Sequence, residues 1–331
     1  MIWLLFIFSG LCLPFSIFAK PDFSLSWPTP NPAFAQGLGY STFLQKTGPD
    51  KDFSSGAYGC VRNSGHKFHE GVDLFPIEVD KQGKALDQVF AAISGTVVYV
   101  NQNPSHSAYG RYVVLEHPSL TPSIYTLYAH LASTNPNINL KSKVQVAEAI
   151  GRMGNSSSFR IPLNRSHLHF EMGLRLSDDF QSWFDKKKFK TPNRHGNFSG
   201  FNLVGVDPLH FFTAYRKQSF EQPVQYLSTL PVIVKVRVHN KSVPNFALRY
   251  PSLCPNIKAT STSWDCSFGP FGIPLKIESA KMSKNSNKPI EILSYDFSEG
   301  SLPCRQLIEK SSTGYIPSEQ LKTYLELIFG G

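Results

Sequence analysis

The sequence predicts an all-β, mostly antiparallel core, followed by a second β-rich unit that ends in a short helix. Between residues 58 and 175, runs of β-branched and aromatic residues are broken by turn residues, as in Val89–Val100 and Leu168–Leu174. No stretch of useful length in this part has the helical period, which favours strands throughout. After residue 222 the alternation of apolar and charged residues continues, which predicts a further sheet.

Composition sets the broad class of the protein. The chain has 331 residues, of which 41% are hydrophobic and 17% are charged, and these values exclude wholesale disorder. Its net charge of +9 fits an anionic partner, such as nucleic acid, a membrane surface or a cell-wall polymer, and charge alone does not choose among these. We predict no nucleic-acid partner, because no basic stripe with interleaved aromatic residues is present.

Residues 1–19 predict export. They carry no charged side chain and end at Ala19, which is typical of a secretory signal peptide cleaved at that point. The mature protein would then be periplasmic or extracellular, without stable insertion in the membrane. An uncleaved anchor is the alternative, because 19 residues nearly span a bilayer. Gly10 and Pro14 weaken a continuous helix and favour cleavage.

Four cysteines remain after residue 19, and in an exported protein they predict disulfides. Four cysteines can form two disulfides in three different ways, and the sequence does not choose among them. The short separation between Cys254 and Cys266 favours a bridge there, which leaves Cys60 to pair with Cys304. Because none of the four lies in a C-x-x-C pair, a zinc site made of thiolates is not expected.

The chain divides by composition. Residues 20–57 are rich in Pro, Ser and Gly and predict an extended lead-in that lies on the first domain, 58–215. Within that domain, residues 176–203 form a polar insertion with four lysines beside aromatic residues. We expect a solvated loop, with a groove wall for an anionic substrate as the alternative. The role of the unit at 222–331 is open.

Two elements are predicted in that last unit. Val234, Val236 and Val238 alternate with charged or polar residues and predict a half-buried strand. A helix is expected to start at Pro317–Ser318, to bury the face that carries Leu321, Tyr324, Leu325 and Ile328, and to stop at Gly330.

Histidines and carboxylates recur in suggestive positions. His69 and Asp73 have H-x-x-x-D spacing, and a tight turn into a strand would bring their side chains together. His167, His169 and Glu171 would share the polar face of one strand, opposite an apolar face. Zinc takes imidazole nitrogen and carboxylate oxygen, and a catalytic site keeps three protein ligands. A lone histidine, His130, lies late in another strand.

Each pattern alone is weak, but their order is specific. FHEGVD, YTLYAHL and SHLHFEM, in that order, resemble the lysostaphin-type (LytM-like) zinc endopeptidases, metallopeptidase family twenty-three. GTVVYV and KVQVAEAIGRMGNSS, between the motifs, match as well, so the resemblance covers roughly residues 58–175. It implies a duplicated-hybrid-motif β-fold with a groove floored by antiparallel strands. It also implies hydrolysis of peptide bonds in peptidoglycan.

The same resemblance implies the roles of the residues. His69, Asp73 and His169 would hold one Zn²⁺, while His130 and His167 would be the catalytic histidines that do not bind it. Zinc would polarise the scissile carbonyl and lower the pKa of its water to about 7. One of the two catalytic histidines would then accept the proton and the other would stabilise the oxyanion, an assignment that stays open.

Two other functions are compatible with the sequence. The domain could be a catalytically idle scaffold that activates another wall hydrolase, although no ligand or catalytic histidine is missing. The chain could also be a plain wall-binding module that acts through residues 222–331. Glu70 and Glu171 are candidates to support the metal ligands by accepting an imidazole N–H.

Overall fold

The computed structural model describes residues 21–47, 52–281, 288–296, 304–312 and 314–330. The predicted signal peptide, with its cleavage point at Ala19, lies outside the described residues. Among the residues described, no helix combines the length and the apolar character needed to cross a bilayer.

Antiparallel pairing dominates the structure, as predicted. Within the described residues the largest sheet has seven strands. β11 lies between β7 on one side and both β3 and β12 on the other, and β7 is followed outward by β6, β5 and β9. The strands of this sheet are β3 (Val72–Leu74), β5 (Gly95–Asn101), β6 (Tyr112–Glu116), β7 (Tyr125–Ala129), β9 (Lys143–Val144), β11 (Leu168–Arg175) and β12 (Leu203–Gly205).

Smaller sheets surround this one. The first half of the chain adds a hairpin of β1 (Gly59–Arg62) and β2 (Lys67–His69), and a sheet of β4 (Gln88–Phe90), β8 (Ser133–Thr134) and β10 (Ala149–Arg152). The C-terminal unit has a four-stranded sheet of β13 (Val234–His239), β14 (Ser263–Phe268), β15 (Pro274–Ser279) and β16 (Ile290–Tyr295), and a hairpin of β17 (Ile308–Ser311) and β18 (Gly314–Pro317).

Short helices join these sheets. They are α1 (Phe180–Lys187), α2 (Pro208–Arg216), α3 (Pro223–Ser228), α4 (Asn245–Arg249) and α5 (Glu319–Phe329). The predicted C-terminal helix is confirmed as α5: the Ser318 hydroxyl accepts a hydrogen bond from the Leu321 N–H, and Gly330 ends the helix in the left-handed region. The four shorter helices were not predicted, because five to nine residues show too little periodicity to be recognised.

Alternation along the strands assigns the two faces of the main sheet. Leu168, Phe170 and Met172 of β11 belong to one apolar cluster, which extends from the lead-in through the sheet into the C-terminal unit. Tyr112 and Leu127 belong to a second cluster on the opposite face. His167, His169 and Glu171 therefore lie on this opposite face of the sheet.

The insertion at 176–203 is packed, so the expectation of a solvated loop is wrong. It contains α1, in which Phe180 and Trp183 are buried. Phe198 belongs to the apolar cluster on the face of the sheet that carries the histidines. Aromatic side chains on either side of the lysine run supply this packing, which a count of charges cannot reveal.

The lead-in lies on the first domain, as predicted. Trp27 stacks on Phe34 with ring centroids 4.4 Å apart. The backbone N–H of Gln45 donates to the carbonyl of Asp73 over 2.8 Å, and Phe75 N–H donates to Phe43 over 3.1 Å. The chain that carries Asp73 is thus held by a segment that lies outside the three sequence motifs.

One predicted disulfide is present and the other is not. Cys60 and Cys304 are bridged, with Cα atoms 5.6 Å apart, which links the β1–β2 hairpin to the C-terminal unit. Cys254 and Cys266 are free thiols in the core, so the predicted bridge between them is wrong. Burial raises the pKa of both thiols, which leaves little of the thiolate needed for disulfide exchange.

Candidate metal centre

Three side chains of the candidate site meet at the end of the main sheet. His69 ends β2, and Asp73 follows on β3 after the predicted tight turn. Asp73 is the register partner of His169 across β3 and β11. Directly opposed residues of antiparallel strands point to the same face with Cβ atoms about 5 Å apart. This pairing brings together two motifs separated by almost one hundred residues.

The three side chains converge on one point. His69 Nε2 lies 3.1 Å from Asp73 Oδ1, and His169 Nδ1 lies 2.9 Å from the same oxygen. The two imidazole nitrogens are 3.1 Å apart. Within the described residues, this is the group of histidine, cysteine and carboxylate side chains able to hold a metal ion, and all three residues are buried.

Hydrogen bonds at the far side of each imidazole fix its orientation. His69 Nδ1 lies 2.7 Å from the carbonyl of Ala57, which can only accept, so Nδ1 carries the hydrogen. His169 Nε2 lies 2.8 Å from Glu171 Oε1, which also accepts. When both rings are neutral, His69 Nε2 and His169 Nδ1 therefore carry lone pairs. These lone pairs point toward each other and toward Asp73 Oδ1. Three acceptors at such distances fit a divalent cation between them, and the donor set is one that zinc prefers.

Charge at the centre is consistent with this fit. Burial by itself would raise the pKa of Asp73, but His69, His167 and Arg62 hold it well below its usual range, so the carboxylate is ionised. Burial would likewise lower the pKa of His169, whereas its hydrogen bonds to Asp73 and Glu171 raise it to about 9. These two carboxylates thus favour a positive charge at His169, a charge that a metal ion supplies when bound.

Two further histidines border the centre without joining it. The ring of His130 lies 4.7 Å from that of His167 and 5.9 Å from that of His169, measured between centroids. His167 Nε2 lies 3.6 Å from Asp73 Oδ2, the oxygen turned away from the other two ligands. The five residues expected from the sequence are therefore brought together: His69, Asp73 and His169 converge, and His130 and His167 lie next to them.

Backbone carbonyls set the proton positions of this second pair. His130 Nδ1 donates to the carbonyl of Ser156 over 2.8 Å, and His167 Nδ1 donates to that of Arg165 over 2.8 Å. In each neutral ring, Nε2 is then free of hydrogen and can accept a proton. Burial lowers the pKa of both histidines, which keeps them neutral at neutral pH.

Several supporting residues were missed from sequence. Arg62 of β1 forms an ion pair with Asp73 Oδ2. Tyr109 donates to Glu171 Oε1 over 2.6 Å, and Tyr125 donates to Glu171 Oε2 over 3.0 Å. Arg62 and Tyr109 lie outside the three motifs, and Tyr125 opens YTLYAHL without a predicted role, so only the fold shows that all three reach the site.

The two candidate supporting glutamates differ. Glu171 is buried and contacts His169, as anticipated. Glu70 makes no hydrogen bond or ion pair with a histidine among the described residues. The difference follows from position, since Glu171 shares the strand face of His169 while Glu70 lies in the turn between β2 and β3.

The family model described as Peptidase family M23 matches residues 67–179, a segment that contains His69, Asp73, His130, His167 and His169. No curated protein sequence matches the chain.

Solved structures similar to this chain include the catalytic domain of the antimicrobial peptidase lysostaphin from Staphylococcus simulans, at 21% identity, with 53% of this chain and 95% of that chain covered and a TM-score of 0.30. The catalytic domain of the prophage-encoded M23 protein EnpA from Enterococcus faecalis is similar at 16% identity, over 46% and 86% of the two chains, with a TM-score of 0.29. Csd3 from Helicobacter pylori is similar at 18% identity, over 57% and 33%, with a TM-score of 0.31.

Proposed function

We propose that this chain is a zinc-dependent endopeptidase that hydrolyses peptide bonds in bacterial peptidoglycan, a proposal supported by the match of residues 67–179 to the model of peptidase family M23. One observation carries the proposal. Two imidazole lone pairs and a carboxylate oxygen meet within about 3 Å, beside two further histidines whose Nε2 atoms are free to accept a proton.

His69 Nε2, Asp73 Oδ1 and His169 Nδ1 would hold the zinc ion. When bound, zinc supplies Lewis-acid chemistry, polarising a peptide carbonyl and lowering the pKa of a water to about 7. Glu171 holds His169 in the orientation that turns Nδ1 inward. Arg62 holds the second oxygen of Asp73, which leaves the first one directed at the centre.

His130 and His167 would carry the proton chemistry. Each presents a bare Nε2, so either can take a proton from the attacking water, and a protonated ring can then donate to the developing oxyanion or to the leaving amine. Their low pKa values favour the neutral form that a base needs. His167 lies nearer to Asp73, whose negative charge would stabilise the imidazolium formed by proton uptake.

We also propose that the protein acts outside the cytoplasm, after cleavage behind Ala19. The uncharged apolar start of the chain and the disulfide between Cys60 and Cys304 support this location. N-terminal sequencing of the exported protein tests it. A chain that still begins at Met1 would indicate an anchor in place of a cleaved signal.

Digestion of purified peptidoglycan tests the enzymatic proposal. The full chain, the chain with a chelator, and the chelated chain resupplied with zinc are compared by mass spectrometry of the released fragments. We expect peptide-bond cleavage in the first and third samples only. A zinc-loaded, folded protein that releases no fragment would refute the enzyme and favour the scaffold that activates another hydrolase.

A further inference from the structure

A cleft of about 530 Å³ lies between the insertion and the loop that joins β5 to β6. The insertion contributes Phe184, Arg194, His195 and Phe201 to its lining, and the loop contributes Ser105 and His106. The family match ends at residue 179, so most of this cleft is built by residues outside it.

The cleft is positively charged and has a defined geometry. Arg194 Nη1 donates to His106 Nε2 over 3.0 Å, and the carbonyl of Arg194 accepts from the Tyr99 hydroxyl over 2.7 Å. No aspartate or glutamate is among the residues that line the cleft, and within the described chain Arg194 forms no ion pair. Its guanidinium donates one N–H to a neutral ring and keeps further donors for a carboxylate.

An aromatic wall lies next to this charge. Phe189 packs against both Phe184 and Phe201, with centroid distances of 4.7 and 5.5 Å. Phe201 is 53% exposed, an unusual state for a large apolar side chain in a packed region. A cationic group beside exposed aromatic rings suits a ligand that carries both a carboxylate and aliphatic carbon.

Two tyrosines connect the cleft to the metal centre. The ring of Tyr109 lies 5.6 Å from that of His169 and 5.2 Å from that of Tyr112. The Tyr112 hydroxyl lies 2.9 Å from Nδ1 of His195, which lines the cleft. A peptide placed with its scissile bond at the metal centre would reach the cleft within a few residues, at about 3.3 Å of chain per residue.

We propose that this cleft is a substrate subsite that binds a free carboxylate of the peptide stem, with Arg194 as its specificity-determining residue. The inference rests on the proposed function, because peptidoglycan peptides keep free carboxylates at their branched and terminal residues. It goes further in naming the group recognised and the residue that recognises it.

Direct binding tests the subsite separately from catalysis. The zinc-loaded full chain carrying His167→Ala is titrated, by fluorescence anisotropy, with a labelled stem peptide that has free carboxylates and with the same peptide in amidated form. We expect the free carboxylates to strengthen binding about tenfold at low salt, a modest value for a charge-assisted hydrogen bond at a partly exposed site.

Variants assign the preference to one side chain. Arg194→Gln should abolish it, and Arg194→Lys should restore part of it. Lys190→Gln, which removes the same charge from the same insertion outside the cleft, should leave it intact.

The subsite would be overturned if the two peptides bound equally well or if neither bound. It would also be overturned if Lys190→Gln reduced the preference for free carboxylates as much as Arg194→Gln does. A carboxylate preference that depends on Arg194, together with no peptidoglycan cleavage by the zinc-loaded chain that keeps His167, would keep the subsite and refute the peptidase.

Discussion

Replacing Glu171 by Gln is expected to weaken zinc binding about tenfold while leaving the fold intact. The Glu171 carboxylate is 1% exposed and accepts hydrogen bonds from His169 Nε2, Tyr109 and Tyr125. Glutamine keeps the shape and one acceptor oxygen but loses the charge that makes His169 a stronger ligand. Partners of this kind typically contribute about 10- to 100-fold to metal affinity.

The loss of zinc affinity should depend on whether the substitution removes only the charge of Glu171 or the whole carboxylate. A hydrogen bond to a charged group is worth about 1.5–3 kcal/mol and a neutral one about 0.5–1.5 kcal/mol, so the Gln variant loses roughly 1.4 kcal/mol, or a factor of ten. Glu171→Ala removes every acceptor and leaves three buried donors without a partner. We expect about a hundredfold loss of zinc affinity and a lower free energy of unfolding for the metal-free protein.

Competition with a chromophoric chelator measures the zinc affinity, and denaturant unfolding of the metal-free protein measures stability. Glu70→Gln is the matched control, since it removes the same charge from the neighbouring turn without touching a ligand. Zinc affinity in the Glu171→Gln protein equal to that of the original chain would refute the supporting role. So would an equal loss in the Glu70 variant, which would indicate a general effect of charge.

Three further outcomes are expected. His169→Ala should purify with little zinc, whereas His167→Ala should keep its zinc and lose about 100- to 10,000-fold in rate, and equal zinc loss by atomic emission would contradict this division. Cys304→Ser removes the bridge to Cys60 and should lower the free energy of unfolding in urea by up to about 5 kcal/mol, since the closed loop spans 244 residues. Burial lowers the pKa of His117 to about 4, whereas the same side chain in the unfolded chain has a pKa of about 6.5. As the pH drops from about 6.5 to 4, His117 is therefore protonated in the unfolded chain before it is in the folded one, and the free energy of unfolding should fall by up to about 3 kcal/mol. Unfolding curves of His117→Gln with an unchanged pH slope would show that another group is responsible.

Local alternation was enough to predict part of this site. The period of two along β11 and the residue before it places His167, His169 and Glu171 on one face, and it places their apolar neighbours in the core. The turn after His69 was also readable, because Gly71 and Val72 disfavour a helix. The choice of His69 and His169 as candidate ligands came from the resemblance to a family, since spacing alone does not distinguish a ligand from its neighbour.

The contacts between residues far apart in the chain could not be predicted from the sequence. The register that sets Asp73 opposite His169 joins residues far apart in the chain, and the ion pair of Arg62 with Asp73 depends on a third strand. Sequence proximity misled at Cys254 and Cys266, whose thiols lie in the core without a bridge. Whether two cysteines form a disulfide depends on where their side chains lie in the folded protein, and separation along the chain does not give that position.

Segments outside the family match hold the strands that carry the candidate ligands. The lead-in binds the backbone of Asp73 through Gln45. The C-terminal unit reaches the hairpin that ends in His69 through the bridge at Cys60 and through Phe271, whose ring lies 4.9 Å from that of Phe68.

Metal ligands need positions fixed to within about 0.5 Å, and short strands at the edge of a sheet do not achieve this without support. The β2 and β3 strands have three residues each. Their rigidity must therefore come from the contacts made on either side. The simplest physical account of the lead-in and the C-terminal unit is that they brace the metal centre from outside, whatever else they bind.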